Sequence, residues 1–177
     1  MNLKGSKTEQ NLWSAFSGES QARNKYTYFS SVAKKEGYNQ ISKIFEETAN
    51  NEKEHAKVWF KLLQGISDTK TNLEIAIKSE HYEWTQMYKE FHKTAKEEGF
   101  EAIAKLFENI IQIEKSHEER YQKLLDNIKE NMVFNKNQKT AWVCSNCGYI
   151  HYGNKAPEIC PFCAHKKEYF EIQQDNY

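Results

Sequence analysis

The chain has 177 residues, with 25 basic side chains against 25 acidic ones, so it is neutral overall at 28% charged and 14% aromatic residues. That composition describes a globular protein large enough for one good core and a small added module. It argues against a basic nucleic-acid-binding surface, and no stretch approaches the roughly 20 apolar residues of a membrane-spanning helix. Met1-Asn2-Leu3-Lys4-Gly5 contains no apolar run of signal-peptide type, so a cytoplasmic location is expected.

Four helices are predicted before residue 130. The first opens with the capping-box pattern Ser6-Lys7-Thr8-Glu9 and runs to Glu36, where Gly37 stops it. The second covers Gln40 to Gln64 and ends at Gly65. Thr71-Asn72-Leu73-Glu74 offers another capping box for a third helix to Glu98, and after Gly99 the fourth continues to Lys129. Tight connections at Gly37 and Gly99 make consecutive helices antiparallel neighbours. The segment from Asn127 to Thr140 turns polar and reads as a linker able to supply an edge strand to the C-terminal segment. Ala141 to Tyr177, rich in aromatics and holding both prolines, reads as a small knuckled β module. The expected domains are therefore residues 1–130, a four-helix bundle, and 131–177, the small β domain with its linker.

The strongest internal signal is a repeat. Lys34–Leu63 and Lys96–Leu125 align without a gap at an offset of 62 residues, with 13 identities in 30 positions. Each copy carries Glu-x-x-His at the same place, as Glu52/His55 and Glu114/His117. In the second copy Ile103, Phe107, Ile110, Glu114, His117, Tyr121 and Leu124 alternate steps of four and three, one continuous helix face. Ile41, Phe45, Thr48, Glu52, His55, Trp59 and Leu62 do the same in the first. Two further stripes run Leu12-Phe16-Glu19-Ala22-Tyr26-Phe29-Ala33 and Leu73-Ala76-Glu80-Glu83-Met87-Phe91-Ala95.

Five glutamates and two histidines are thus expected to face inward on otherwise apolar stripes. Removing a carboxylate from water costs several kcal/mol even after relaxation, so such a cluster demands cations or protons. A glutamate from each of two helices plus Glu-x-x-His from each of two others is the ligand set of ferritin-like di-iron and di-manganese bundles. Glu19, Glu80, Glu52/His55 and Glu114/His117 supply it, and Glu83 is an additional candidate. Carboxylate-rich sites with some imidazole suit iron or manganese better than zinc. A lone Glu-x-x-His on a charged helix is ordinarily solvent-facing; two at one offset on apolar stripes reverse that reading. Tyr26 and Tyr88, again 62 apart, are read either as packing residues or as hydroxyls that anchor ligand carboxylates.

All four cysteines lie in two Cys-x-x-Cys knuckles, Cys144/Cys147 and Cys160/Cys163, separated by twelve residues, a tetrathiolate pattern rather than a disulfide framework. Spacing alone leaves iron and zinc both open. Cys144-Ser145-Asn146-Cys147-Gly148-Tyr149 with Pro157-Glu158-Ile159-Cys160-Pro161-Phe162-Cys163 resembles rubredoxin, although the segment between knuckles is short and Ala164 stands where a second glycine is common.

That short form, followed by Ala164-His165, resembles the rubredoxin-like domain of rubrerythrins. The helical part resembles the same family through Gly18-Glu19-Ser20-Gln21-Ala22-Arg23-Asn24, Glu52-Lys53-Glu54-His55-Ala56, Glu80-His81-Tyr82-Glu83 and Glu114-x-x-His117. The resemblance implies a mainly α fold, a ferritin-like four-helix bundle followed by a small β rubredoxin-like domain. It implies two iron ions in the bundle and one in the tetracysteine site. It further implies a peroxidase that reduces hydrogen peroxide to water in defence against oxidative stress, fed by an electron-donating reductase or rubredoxin and working as a homodimer. One iron would change ligand between His55 and Glu83 with oxidation state. The alternatives are a ferroxidase and a zinc-ribbon interaction module on an inert helical scaffold.

Overall fold

The computed structural model describes residues 2–175, which fall into two compact units divided between Asp68 and Thr69. The first is one helical hairpin, α1 (Lys7–Lys35) and α2 (Asn39–Leu62). The predicted capping box is present at the start of α1. Ser6 Oγ accepts the Glu9 N–H at 3.1 Å, satisfying one of the donors a helix start leaves open, while Glu9 Oε2 reaches back to the N–H of Gly5, one residue before the cap, at 2.6 Å. At the other end Gly37 takes φ +85°, and Tyr38 N–H reaches back to the Ala33 carbonyl at 2.9 Å, a glycine-terminated stop that reverses the chain.

The second unit begins with a helix in three parts, α3 (Thr69–Tyr82), a π-helical turn (Glu83–Met87) and α4 (Tyr88–Glu97), followed by α5 (Glu101–Lys129). The helix opens two residues before the predicted Thr71 cap, and the π turn interrupts what the sequence reads as one regular helix. Gly99 repeats the stop at Gly37, with φ +82° and Phe100 N–H bonded to the Ala95 carbonyl at 2.8 Å.

The repeat seen in the sequence is also a repeat of contacts. Phe45 lies 6.2 Å from Tyr26 and 5.7 Å from Phe29, and Phe107 lies 6.0 Å from Tyr88 and 5.6 Å from Phe91, ring centre to ring centre. Where α1 meets α2, Ser30 Oγ donates to the Ser42 carbonyl at 2.9 Å; the equivalent pair in the second hairpin is His92 Nδ1 and the Ala104 carbonyl, also 2.9 Å apart. Small buried residues, Ala33, Ser42, Ala49 and Ala56 in one hairpin and Ala95 and Ala104 in the other, allow the helices to approach.

One expectation needs correction. Several stripe residues predicted as core, including Phe29, Ile41 and Leu62 in the first unit and Phe91, Ile103 and Leu124 in the second, are exposed by about half. A helix packed against a single neighbour covers only part of a wide apolar face, and a two-helix hairpin offers no more than that.

The end of the chain forms a three-stranded antiparallel sheet in the order β2-β1-β3, from β1 (Asn135–Cys144), β2 (Ile150–Lys155) and β3 (Phe170–Ile172). The polar segment read as a linker with an edge strand becomes the first part of β1, paired with β2 alone, while β3 pairs only with Trp142–Cys144. Trp142 sits opposite His151 on one side and Ile172 on the other. Fully buried, it donates its indole N–H to the Gly153 carbonyl at 3.0 Å and forms the module's core with Cys144, Ala156, Cys160 and Phe170.

Candidate metal centres

The predicted ligands come together as three clusters, each with its donor atoms within 4.8 Å of one another: Glu19, Glu52 and His55; Glu80, Glu114 and His117; and the four cysteines. The first lies on the α1–α2 hairpin and the second on the α3–α5 hairpin, so of the five predicted glutamates the first hairpin carries two and the second, with Glu83, three.

The two half-sites share a plan. Three residues along a helix bring side chains to neighbouring positions on one face, and His55 Nδ1 lies 2.9 Å from Glu52 Oε2 while His117 Nδ1 lies 2.7 Å from Glu114 Oε2. His117 Nδ1 is also 3.4 Å from Glu80 Oε2. Glu114 is buried, the other glutamates are partly covered, and the two histidines are the open side of each cluster.

Electrostatics explain what these clusters need. Glu19 is held above the usual carboxylate range, chiefly by its hydrogen bond with Glu52 and then by burial, while the same bond and that to His55 hold Glu52 below it. Glu80 is raised by burial first, then by its hydrogen bond with Glu114 and by the charges of Glu114 and Glu83. Carboxyls set side by side in this way oppose one another's charge, an arrangement that a bound cation relieves. A metal ion at about 2.1 Å from each donor needs those donors within about 4.2 Å of each other. Small side-chain adjustments provide that, and the charge of an ion would offset that of the neighbouring carboxylates.

Glu83 stands apart from both triads yet close enough to raise Glu80 and the Tyr88 phenol by its charge. Ser79 Oγ donates to Glu83 Oε1 at 3.4 Å. Its place on the π turn has a sequence signal that stripe reading misses. Leu12/Leu73, Ala15/Ala76 and Glu19/Glu80 repeat at 61 residues, whereas Tyr26/Tyr88, Phe29/Phe91 and Ala33/Ala95 repeat at 62. One extra residue therefore lies between Glu80 and Tyr88, and the π turn absorbs it; Tyr88 N–H bonds to the Glu83 carbonyl, five residues back. Tyr26 and Tyr88 make the ring contacts expected of packing residues. Tyr88 is also raised by burial and by Glu83, Glu114 and Glu80, so its hydroxyl keeps its proton beside those carboxylates.

In the tetracysteine site, Cys144 Sγ is 3.7 Å from Cys163 Sγ and Cys147 Sγ is 3.7 Å from Cys160 Sγ. That is far beyond the roughly 2.05 Å of a disulfide and matches the edge, about 3.8 Å, of a tetrahedron of sulfurs 2.3 Å from a central ion. The knuckles are related by local symmetry. Cys144 N–H bonds to the Tyr149 carbonyl and Gly148 N–H to the Cys144 carbonyl, while Cys160 N–H bonds to the His165 carbonyl and Ala164 N–H to the Cys160 carbonyl. Gly148 at φ +78° and Ala164 at φ +58° occupy equivalent left-handed positions. The Tyr149 backbone N–H favours the Cys147 thiolate, but burial and the other three thiols outweigh it and push that thiol up to about 12. Cys163, with the His165 backbone N–H on its sulfur, falls to about 6 despite burial. Four crowded sulfurs thus cannot all ionise unless a cation joins them.

Fold and site together define a protein of the carboxylate-bridged di-metal class carrying a separate tetrathiolate metal module. Residues 10–125 match the rubrerythrin family model, and residues 142–171 match that of the rubrerythrin rubredoxin-like domain. The chain is 50% identical to rubrerythrin-1 of Clostridium acetobutylicum, and 49% identical to rubrerythrin of Nitratidesulfovibrio vulgaris, with 99% of each chain covered in both cases. A solved structure of nigerythrin in a mixed-valence state is 30% identical over 97% of this chain and 91% of that one, with a TM-score of 0.36.

The chain belongs to the rubrerythrin family. It is accordingly a mainly α protein of ferritin-like type with a rubredoxin-like β domain, and its metal complement is two irons held by the Glu/His clusters and one by the cysteines. Among the described residues no helix is long and apolar enough to cross a membrane.

Proposed function

We propose that this chain is a non-haem di-iron peroxidase that reduces hydrogen peroxide to water, with electrons relayed through its tetrathiolate iron, as part of cytoplasmic defence against oxidative stress. The observation that carries this reading is the presence, in one rubrerythrin-family chain, of two Glu-x-x-His half-sites and a one-electron thiolate module. An iron-storage protein has no need of the second. Residues 1–130 would form the catalytic bundle and 131–177 the electron-carrying domain, with a reductase or a rubredoxin as external donor. A homodimer fits an electron carrier set at the end of the chain, where it can serve a second copy's bundle.

Glu19, Glu52, His55, Glu80, Glu83, Glu114 and His117 would hold the iron pair, which supplies two electrons to the O–O bond and a positive centre for the oxide charge that develops. The residues do the rest. Glu19, Glu52, Glu80 and Glu114 would supply the negative charge that keeps both ions near charge balance. Reducing one peroxide to two waters consumes two protons, and the protonated Tyr88 hydroxyl beside Glu80 and Glu114 is placed to pass one inward. Cys144, Cys147, Cys160 and Cys163 would hold the iron that supplies electrons singly, with backbone N–H groups stabilising charge on their sulfurs.

The test is iron analysis with a visible spectrum, followed by peroxide consumption with a supplied reductant. Three irons per chain, a red ferric tetrathiolate and peroxide turnover without net iron mineralisation are expected. A colourless zinc-loaded module would sink the reading, as would iron oxidation and storage without multiple turnovers.

A further inference from the structure

The turn that carries Glu83 is tied down by groups outside the metal clusters. Glu118, the residue after His117 on α5, accepts from His81 Nδ1 at 3.0 Å through Oε1 and 3.2 Å through Oε2, and its Oε2 also accepts the Trp84 indole N–H. These two donors bracket Glu83 in the chain. Thr85 Oγ1 donates to the His81 carbonyl, a further tie across the start of the widened turn. The ammonium groups of Lys89 and Lys115 lie 5.5 and 5.8 Å from the Trp84 ring centre, holding the indole from α4 and α5.

A π turn is less favourable than the α-helix it interrupts and persists where outside contacts fix it. Were the segment to slip by one residue, each side chain would rotate by about 100° around the axis, since a helical turn takes 3.6 residues. Glu83 would then leave the face it shares with Glu80. We propose that Glu118 is a positioning residue for Glu83: by binding His81 and Trp84 together it keeps the extra residue within Glu83–Met87 and the Glu83 carboxylate beside the Glu80–Glu114–His117 cluster. The assignment rests on Glu83 serving as a ligand in the proposed peroxidase.

The experiment compares full-length wild type with Glu118→Ala, Glu118→Gln and Trp84→Phe, by hydrogen exchange of backbone amides and by peroxide kinetics. Glu118→Ala should speed exchange over residues 83–88 at least tenfold while leaving residues 7–62 unchanged, and should lower kcat about tenfold with KM for peroxide unaltered. Glu118→Gln, whose amide oxygen still accepts from Trp84, should bring both back to within about threefold of wild type. Trp84→Phe should act in the same direction as Glu118→Ala, and the double variant should be no worse than Glu118→Ala alone. Unchanged exchange over 83–88 in Glu118→Ala, uniform loosening of residues 69–129, or independent effects of the two substitutions would overturn the assignment. If Glu118→Ala does not fold, Trp84→Phe exchange decides. Failure of wild type to turn over peroxide would refute the functional reading instead, and the exchange data would still judge the tie.

Discussion

The two helical hairpins are built alike, and the spacing along their first helices differs by one residue. Each stops its first helix at a glycine near φ +85°, stacks a tyrosine and two phenylalanines at nearly equal distances and pairs Glu with His three residues on. The inserted residue in the second hairpin changes only the stretch between Glu80 and Tyr88. Counting back at an offset of 61, Glu83 stands where the first hairpin has Ala22. A duplicated scaffold thus supplies two similar triads, and one local irregularity supplies the fifth carboxylate that makes them unequal.

The severest way to break this comparison is to remove an equivalent ligand from each side. Glu52→Ala and Glu114→Ala should each lower iron from three to one per chain and cut peroxide turnover by at least about 10³-fold, since a ligand should matter more than the 10–100-fold typical of groups that orient one. Turnover surviving in one of them, measured against elemental analysis, would show that the triads are not interchangeable.

The two knuckles can be separated next. In chelator-treated protein at pH 7, Cys163, lowered to about 6, is a thiolate and Cys147, raised to about 12, is a thiol. Iodoacetamide should therefore label Cys163 first, with a rate that falls about tenfold per pH unit below 6, because the thiolate is the nucleophile. Peptide mapping showing equal labelling would contradict the assignment.

Glu83→Ala should retain two bundle irons yet lose most peroxide turnover, which separates the inserted carboxylate from the triads. Normal turnover would remove its role. On the stability side, Ser30→Ala and His92→Ala sever equivalent inter-helix hydrogen bonds and should cost about 1 kcal/mol each; denaturant melts giving very different values would show that the hairpin junctions are unlike. The smallest effect should come from Ala164→Gly. A non-glycine residue pays about 1 kcal/mol in the left-handed region, part of which glycine gives back through its unfolded-state entropy, so a gain of about 0.5 kcal/mol is expected in thermal melts.

Much of this architecture is legible in the sequence because it rests on periodicity and on spacing. The Glu-x-x-His pairs, the Ser6 capping box, the stops at Gly37 and Gly99 and the Cys-x-x-Cys knuckles are local patterns, and local physics fixes them. Three features are not legible in that way. The π turn breaks the 3.6-residue period that stripe reading assumes, although the shift from 61 to 62 in the repeat records it. The start of β1 is polar because it pairs with β2 alone and residues 137–139 are exposed, so the strand resembles a linker until Trp142–Cys144, where β3 joins the other side. Finally, the stripes near Phe29 and Ile103 read as core from their apolarity alone; apolarity states a demand for cover, and a single hairpin does not meet it.

The spacing between the third-helix glutamate and the tyrosine beyond it can serve as a ruler. Seven residues, as from Glu19 to Tyr26, describe an uninterrupted helix, and eight, as from Glu80 to Tyr88, describe one with a widened turn. A homologous chain that measures seven at both places would be expected to have symmetric halves with no counterpart to the Glu83 turn, which makes a simple count on an unaligned sequence a way to tell whether the widened turn is there.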